Sequence, residues 1–155
     1  MAGIALAIVG GMAGYGYSAE QTRQAGFAFG NELLRIQEGV GDQQSEFSSH
    51  MTQWEEGELT EEELVDFASA HFKKMDWLIS RYDTLMPPKA FEASVGVFKL
   101  SSESQLESDR EYLLWIQTGN DAHLIRSDAL IQESFEYETA ALGEFNRAKL
   151  GIEQP

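Results

Sequence analysis

The sequence predicts an all-α fold, an antiparallel up-down-up-down four-helix bundle preceded by a short apolar N-terminal helix. Three observations lead to it. Helix start and stop signals recur at long intervals from Ser18 onward, apolar side chains between them recur at alternating four- and three-residue steps, and no run of alternating β-branched residues competes. The 155 residues are the size of one domain, and a hydrophobic share of 43% is enough to build one core.

The first element is set apart by charge. Residues 2–19, AGIALAIVGGMAGYGYSA, hold no charged side chain, so the whole net charge of −15 is carried from Glu20 onward. This divides the chain into an apolar anchor or signal segment, 1–19, and an acidic helical-bundle domain, 20–155. The segment is at the lower limit for a membrane span, which needs roughly 17–25 apolar residues, and Tyr15 and Tyr17 suit a lipid–water boundary. It also fits a cleaved signal, with Gly11-Met12-Ala13 and Tyr17-Ser18-Ala19 as cleavage contexts, or a buried helix of a soluble protein. The first basic residue is Arg23, so the positive-inside rule has almost nothing to act on. Gly10 with Gly14, and Gly26 with Gly30, have the spacing that lets two helix backbones approach closely and are candidate helix-contact glycines.

Ser18 followed by Gln21 resembles a capping box that opens the first long helix, which runs to about Glu56. Gly39 and Gly41 flank Val40 and mark a candidate break, with Asp42 capping a restarted segment that ends near Trp54. The second start is the clearest: Thr60 with Glu63 forms a T-x-x-E box, and Glu61, Glu62 and Glu63 put negative charge on the positive end of the helix dipole. That helix is expected to stop at Met86, ahead of Pro87 and Pro88. Pro88 suits the first turn of a third helix reaching about Gln117. Thr118-Gly119-Asn120-Asp121 reads as a tight turn, with Gly119 as stop and Asn120 or Asp121 as the next cap. The last helix is expected to end at Leu150, closed by Gly151.

Three stripes then define the core. In the second helix Leu64, Ala68, His71, Met75, Leu78, Tyr82 and Leu85 form a bundle seam. The third offers Val95, Phe98, Ser102, Leu106, Asp109, Leu113 and Ile116; the fourth offers Leu124, Ser127, Ile131, Ser134, Glu138, Ala141 and Phe145. Short connections favour antiparallel neighbours. Trp54, Trp77, Trp115, Phe72, Phe91 and Phe98 are expected to pack between helices, any exposed subset marking an interface.

The last two seams are apolar at their ends and polar in the middle. Aligning helices from their turns brings His71 level with Gln105, Gln105 level with Glu133, and Gln44 or Ser45 to the same height. The candidate polar core layer is His71, Ser102, Gln105, Asp109, Ser134 and Glu138. Such a layer either binds a ligand, metal or proton, or hydrogen-bonds across the core and fixes helix register.

Motifs for chemistry are missing. A di-iron bundle needs Glu three residues before His on two helices, and Phe47, Ala68 and Asn120 precede His50, His71 and His123. Three scattered histidines do not assemble a zinc site, and with no cysteine there are no disulfides, thiolate metal sites or thiol nucleophiles. Neither a G-x-S-x-G elbow, a P-loop nor H-E-x-x-H is present. The acids from Glu55 to Glu63 lack the EF-hand pattern and read as a solvated turn with helix capping. Strong negative charge repels phosphate backbones, which excludes nucleic acid as a partner. No catalytic, cofactor-binding or metal-binding residue is assigned, no cofactor is expected, and the chain reads as a non-enzyme.

The stretch from Ser80 to Lys149 resembles a helical domain of uncharacterised, exported or membrane-tethered proteins of ammonia-oxidising archaea. Tyr82-Asp83, Leu85, Pro87-Pro88, Ser108-Asp109, Thr118-Gly119, Arg126-Ser127-Asp128 and Ser134-Phe135-Glu136-Tyr137-Glu138 carry the likeness. The resemblance brings no catalytic residues with it. It implies a helical hairpin outside the cytoplasmic membrane, and an accessory subunit of a membrane complex, with ammonia monooxygenase as one candidate. Two functions are therefore expected: an extracytoplasmic interaction subunit with a protein partner in or at a membrane, reached through residues 2–19 if uncleaved, or a soluble ligand- or metal-binding bundle using the polar layer. A filament subunit is disfavoured, because the apolar run is short and has no basic leader.

Overall fold

The computed structural model describes residues 20–153. Among them are four α-helices and no strand: α1 (Glu20–Glu55), α2 (Glu61–Tyr82), α3 (Glu92–Thr118) and α4 (Asp121–Glu153). The expectations for residues 1–19, including the anchor or signal, the Ser18 cap, Gly10 and Gly14, lie outside the described residues. No helix among the described residues is long and apolar enough to cross a membrane. Gly26 and Gly30 are buried in α1.

The helix ends follow local chemistry. Thr60 N–H donates to Glu63 Oε2 at 2.9 Å, and Glu63 N–H donates to Thr60 Oγ1 at 3.2 Å, so both halves of the capping box form. The bond from the Thr60 backbone, then the one from its hydroxyl, holds the Glu63 carboxyl below its ordinary pKa. At the other hairpin Gly119 adopts φ 66°, the left-handed conformation that a side chain disfavours, and Asn120 Oδ1 accepts from Ala122 N–H at 3.1 Å.

Five expectations need correction. α1 is unbroken through Gly39 and Gly41, because a Cβ at Gly39 would sit 2.7 Å from Leu78 Cδ2: the missing side chain lets α1 lie against α2 rather than ending it. α2 stops at Tyr82 instead of Met86. The amides of Asp83, Thr84 and Leu85 each bond back three residues, which tightens the last turn before the prolines. Pro88 precedes a short 3₁₀ turn, Lys89–Phe91, with α3 beginning after it. α4 continues past Gly151 to Glu153, since that glycine has no positive φ to terminate a helix. Trp77 is 49% exposed and packs between no helices; it lies on the outer face of α2, with Lys74 Nζ 4.5 Å and the Arg81 guanidinium 5.0 Å from its ring.

The core is two apolar clusters separated by a polar layer. One cluster joins Phe29, Leu33, Ile36 and Val40 of α1 to Met75, Leu78 and Ile79 of α2, Val95, Phe98 and Leu106 of α3, and Ala141 and Phe145 of α4. Phe91 binds its lower end together, with ring centroids 5.9 Å from Phe29 and 5.0 Å from Phe145. The second cluster is built on Phe47, Leu64, Ala68 and Leu113, with Met51, Trp54, Phe72 and Ile116 packed against it, and contains nothing from α4. The N-terminal half of α4 therefore rests on α3 and leaves α1 unopposed.

The contact between α3 and α4 is made by small residues. Ser101 and Ser134 each donate to the other's backbone carbonyl at 2.9 Å, and their hydroxyl oxygens are 3.1 Å apart. Ser108 and Ser127 repeat the arrangement at 2.9 Å throughout. One heptad forward on α3 meets one heptad back on α4, so the two helices run antiparallel in a fixed register. Small side chains are needed there because the hydroxyl of one helix must reach the backbone of the other.

Candidate functional site

A cleft of about 230 Å³ opens where α1 faces the α3–α4 pair. Its polar lining includes Gln37, Gln44, Ser45 and Ser48 from α1, Ser102, Gln105 and Asp109 from α3, and Asp128 and Glu138 from α4. Apolar contacts that would draw α1 onto α4 are confined to the cluster around Phe145.

Behind the cleft lies a buried dyad. His71 Nε2 on α2 and Asp109 Oδ2 on α3 are 2.7 Å apart, and Gln44 Nε2 of α1 donates to the same Oδ2 at 2.7 Å. With Asp109 ionised, the imidazole donates through Nε2; with Asp109 protonated, the direction reverses. Phe47 stacks on the His71 ring with centroids 4.5 Å apart and fixes its plane. Burial pushes the Asp109 carboxyl above its ordinary pKa, against the hydrogen bond and charge of His71 and the hydrogen bond of Gln44, which pull it down. His71 Nδ1 has no hydrogen-bond partner among the described residues. The dyad thus lacks the hydroxyl that a nucleophilic triad attaches to its imidazole.

Farther along the cleft, Gln37 Nε2 donates to the Tyr82 hydroxyl, which lies 3.1 Å from Ser102 Oγ. Burial raises the Tyr82 pKa, the Ser102 bond opposes this, and the charge of Glu138 adds to the rise. Glu138 itself is half-buried, and desolvation raises its carboxyl too. At the opposite end the Tyr112 hydroxyl donates to Glu55 Oε1 at 2.8 Å.

The six residues of the polar layer divide as follows. Ser102, Gln105, Asp109, Ser134 and Glu138 all line the cleft, and His71 touches it only through Asp109. They are not one level. Ser134 is spent on Ser101, while Gln105 and Glu138 make no hydrogen bond or ion pair with any described residue. His71 faces Asp109, one helical turn beyond Gln105. Sequence reasoning missed Gln37, the Tyr82 hydroxyl and Tyr112. It also missed the second face of α3, where buried Ser94, Ser101 and Ser108 sit one heptad apart, the last two opposite Ser134 and Ser127 of the expected α4 stripe. That spacing of small residues was a readable signal.

Among the described residues no group of three or more His, Asp or Glu is placed to hold a metal ion. Unfilled hydrogen-bonding capacity facing a cleft is suited to holding a polar molecule. Comparison with protein-family models, curated proteins and solved structures finds no match.

Proposed function

We propose that this protein is a ligand-binding helical bundle of up-down-up-down topology, using the cleft between α1 and the α3–α4 pair to hold a small, elongated polar molecule without transforming it. The topology is supported by contacts between successive helices that run in opposite directions: Phe47 with His71 and Glu32 with Arg81, then Tyr82 with Ser102 and His71 with Asp109, then the serine pairs. One observation carries the binding reading. Gln105 and Glu138 face the cleft with no hydrogen-bond partner among the described residues, whereas the buried serines beside them are paired. Polar groups held in a concave site but left unpaired supply affinity when a ligand completes them. The cleft falls just below the roughly 300 Å³ at which drug-sized pockets begin, so the ligand is metabolite-sized.

A thermal-shift screen of the full chain against amines, amino acids, dicarboxylates and sugars tests this. A ligand at a hundredfold excess over its Kd should raise Tm by roughly 5–10 °C for a chain of this length. The rise should disappear in Gln105→Leu. No stabilising compound, or a rise that persists in the variant, would contradict the reading.

A further inference from the structure

The cleft has a chemical bias that narrows the ligand, an inference that rests on the binding reading above. Its charged lining residues are Glu55, Asp109, Asp128 and Glu138, all acids, with no lysine, arginine or histidine among them. Asp109 is 5% exposed, and both of its hydrogen bonds converge on Oδ2, leaving Oδ1 with no partner among the described residues. The acids are also spread out. Glu138 and Asp128 are separated by ten positions on α4, about 15 Å at a helical rise of 1.5 Å per residue. Asp109 lies on the facing helix, within one turn of the Ser108–Ser127 pair and so beside Asp128.

We infer that the ligand is a linear polyamine, an extended aliphatic cation with several ammonium groups. A compact cation could meet one end of the cleft or the other, but not both. A chain with charges at intervals places one ammonium near Glu138 and another near Asp109 and Asp128. Its methylenes then run past Val40, Ile131 and Phe135, which also line the cleft. Ammonium N–H groups donate to carboxylates and to the Gln105 carbonyl, matching a wall rich in acceptors and poor in positive charge. An anion would meet Glu55, Asp128 and Glu138 with no cationic side chain lining the cleft, and that repulsion disfavours it.

The test is isothermal titration of the full chain with spermidine, 1,8-octanediol and suberate, repeated on Glu138→Gln and Glu62→Gln. Glu138 makes no hydrogen bond or ion pair with any described residue, and Glu62 is exposed on the first turn of α2 and does not line the cleft. Saturable one-to-one binding of spermidine, weakened at least fivefold by Glu138→Gln and unchanged by Glu62→Gln, is expected. Weak, multi-site binding reduced equally by both substitutions would mean diffuse counter-ion attraction and overturn the inference. Binding of octanediol or suberate in place of spermidine, lost in Gln105→Leu, would overturn the polyamine while leaving the cleft a binding site. If none of the three binds and the metabolite screen also fails, both readings fall.

Discussion

The α3–α4 joint and the α1-facing side of the same helix pair put polar residues to opposite ends. On the α4 side, Ser101, Ser108, Ser127 and Ser134 are buried and fully paired through reciprocal hydroxyl–carbonyl bonds. On the α1 side, Gln105 and Glu138 line a cleft and pair with nothing described. Burying polar groups is costly unless they are satisfied, so the first face is a structural joint and the second is stable only because it stays open to solvent or ligand. The difference teaches that the polarity of a helix face does not itself mark a site. What matters is whether the neighbouring helix completes the hydrogen bonds.

The largest way to break this contrast is Ser134→Leu. The added side chain has no room at a contact where a hydroxyl reaches the opposing backbone, and both reciprocal bonds are lost. Chemical denaturation should show a loss of about 2–4 kcal/mol. A variant as stable as the parent would show that the helices are not held this closely.

Asp109→Asn should produce a smaller effect with a distinct pH signature. The folded-state carboxyl is raised above its ordinary pKa of 3.8 by burial, so the folded protein holds that proton more tightly than the unfolded chain does. Asp109 therefore contributes a loss of stability as pH rises from about 4 through its raised folded value, with a slope of at most about 1.4 kcal/mol per pH unit. Glu63 has the opposite sign: its lowered carboxyl stabilises above its ordinary pKa of 4.5 and loses that contribution as pH falls through the folded value. Denaturation midpoints measured from pH 4 to 7 should show Asp109→Asn gaining on the parent as pH rises. A constant difference across that window would mean the carboxyl is not desolvated.

Gln105→Leu is expected to change stability least, within about 0.5 kcal/mol, because Gln105 makes no hydrogen bond with any described residue. Denaturation curves that overlay, together with lost ligand response, would separate site from scaffold. A large loss would place Gln105 in the structural class with the serines.

Much of the fold was legible because helix ends are local. The Thr60–Glu63 box and the Gly119–Asn120 turn depend on residues within three or four positions of one another, and the seam from Leu64 to Tyr82 is buried throughout. Errors arose where tertiary packing overrode a local signal. Gly39 looks like a break until Leu78 is placed against it, and the end of α2 was masked by apolar Leu85 and Met86 ahead of the prolines. The candidate site was legible as a list of polar seam residues but not as a cleft. Spacing places Ser102, Ser134 and Glu138 on inward stripes alike; only three-dimensional pairing shows that Ser134 is consumed by Ser101 and that Glu138 is left unpaired.

The most direct measurement is an NMR titration of the isotopically labelled full chain with spermidine, following backbone amides and glutamine side-chain amides. Saturable shifts are expected for Gln37, Gln44 and Gln105 and for amides around Asp128 and Glu138, with amides around Trp77 on the exposed face of α2 little changed. Shifts confined to the acidic turn from Glu56 to Glu63, or spread without saturation over every acidic surface, would contradict the binding of spermidine in the cleft.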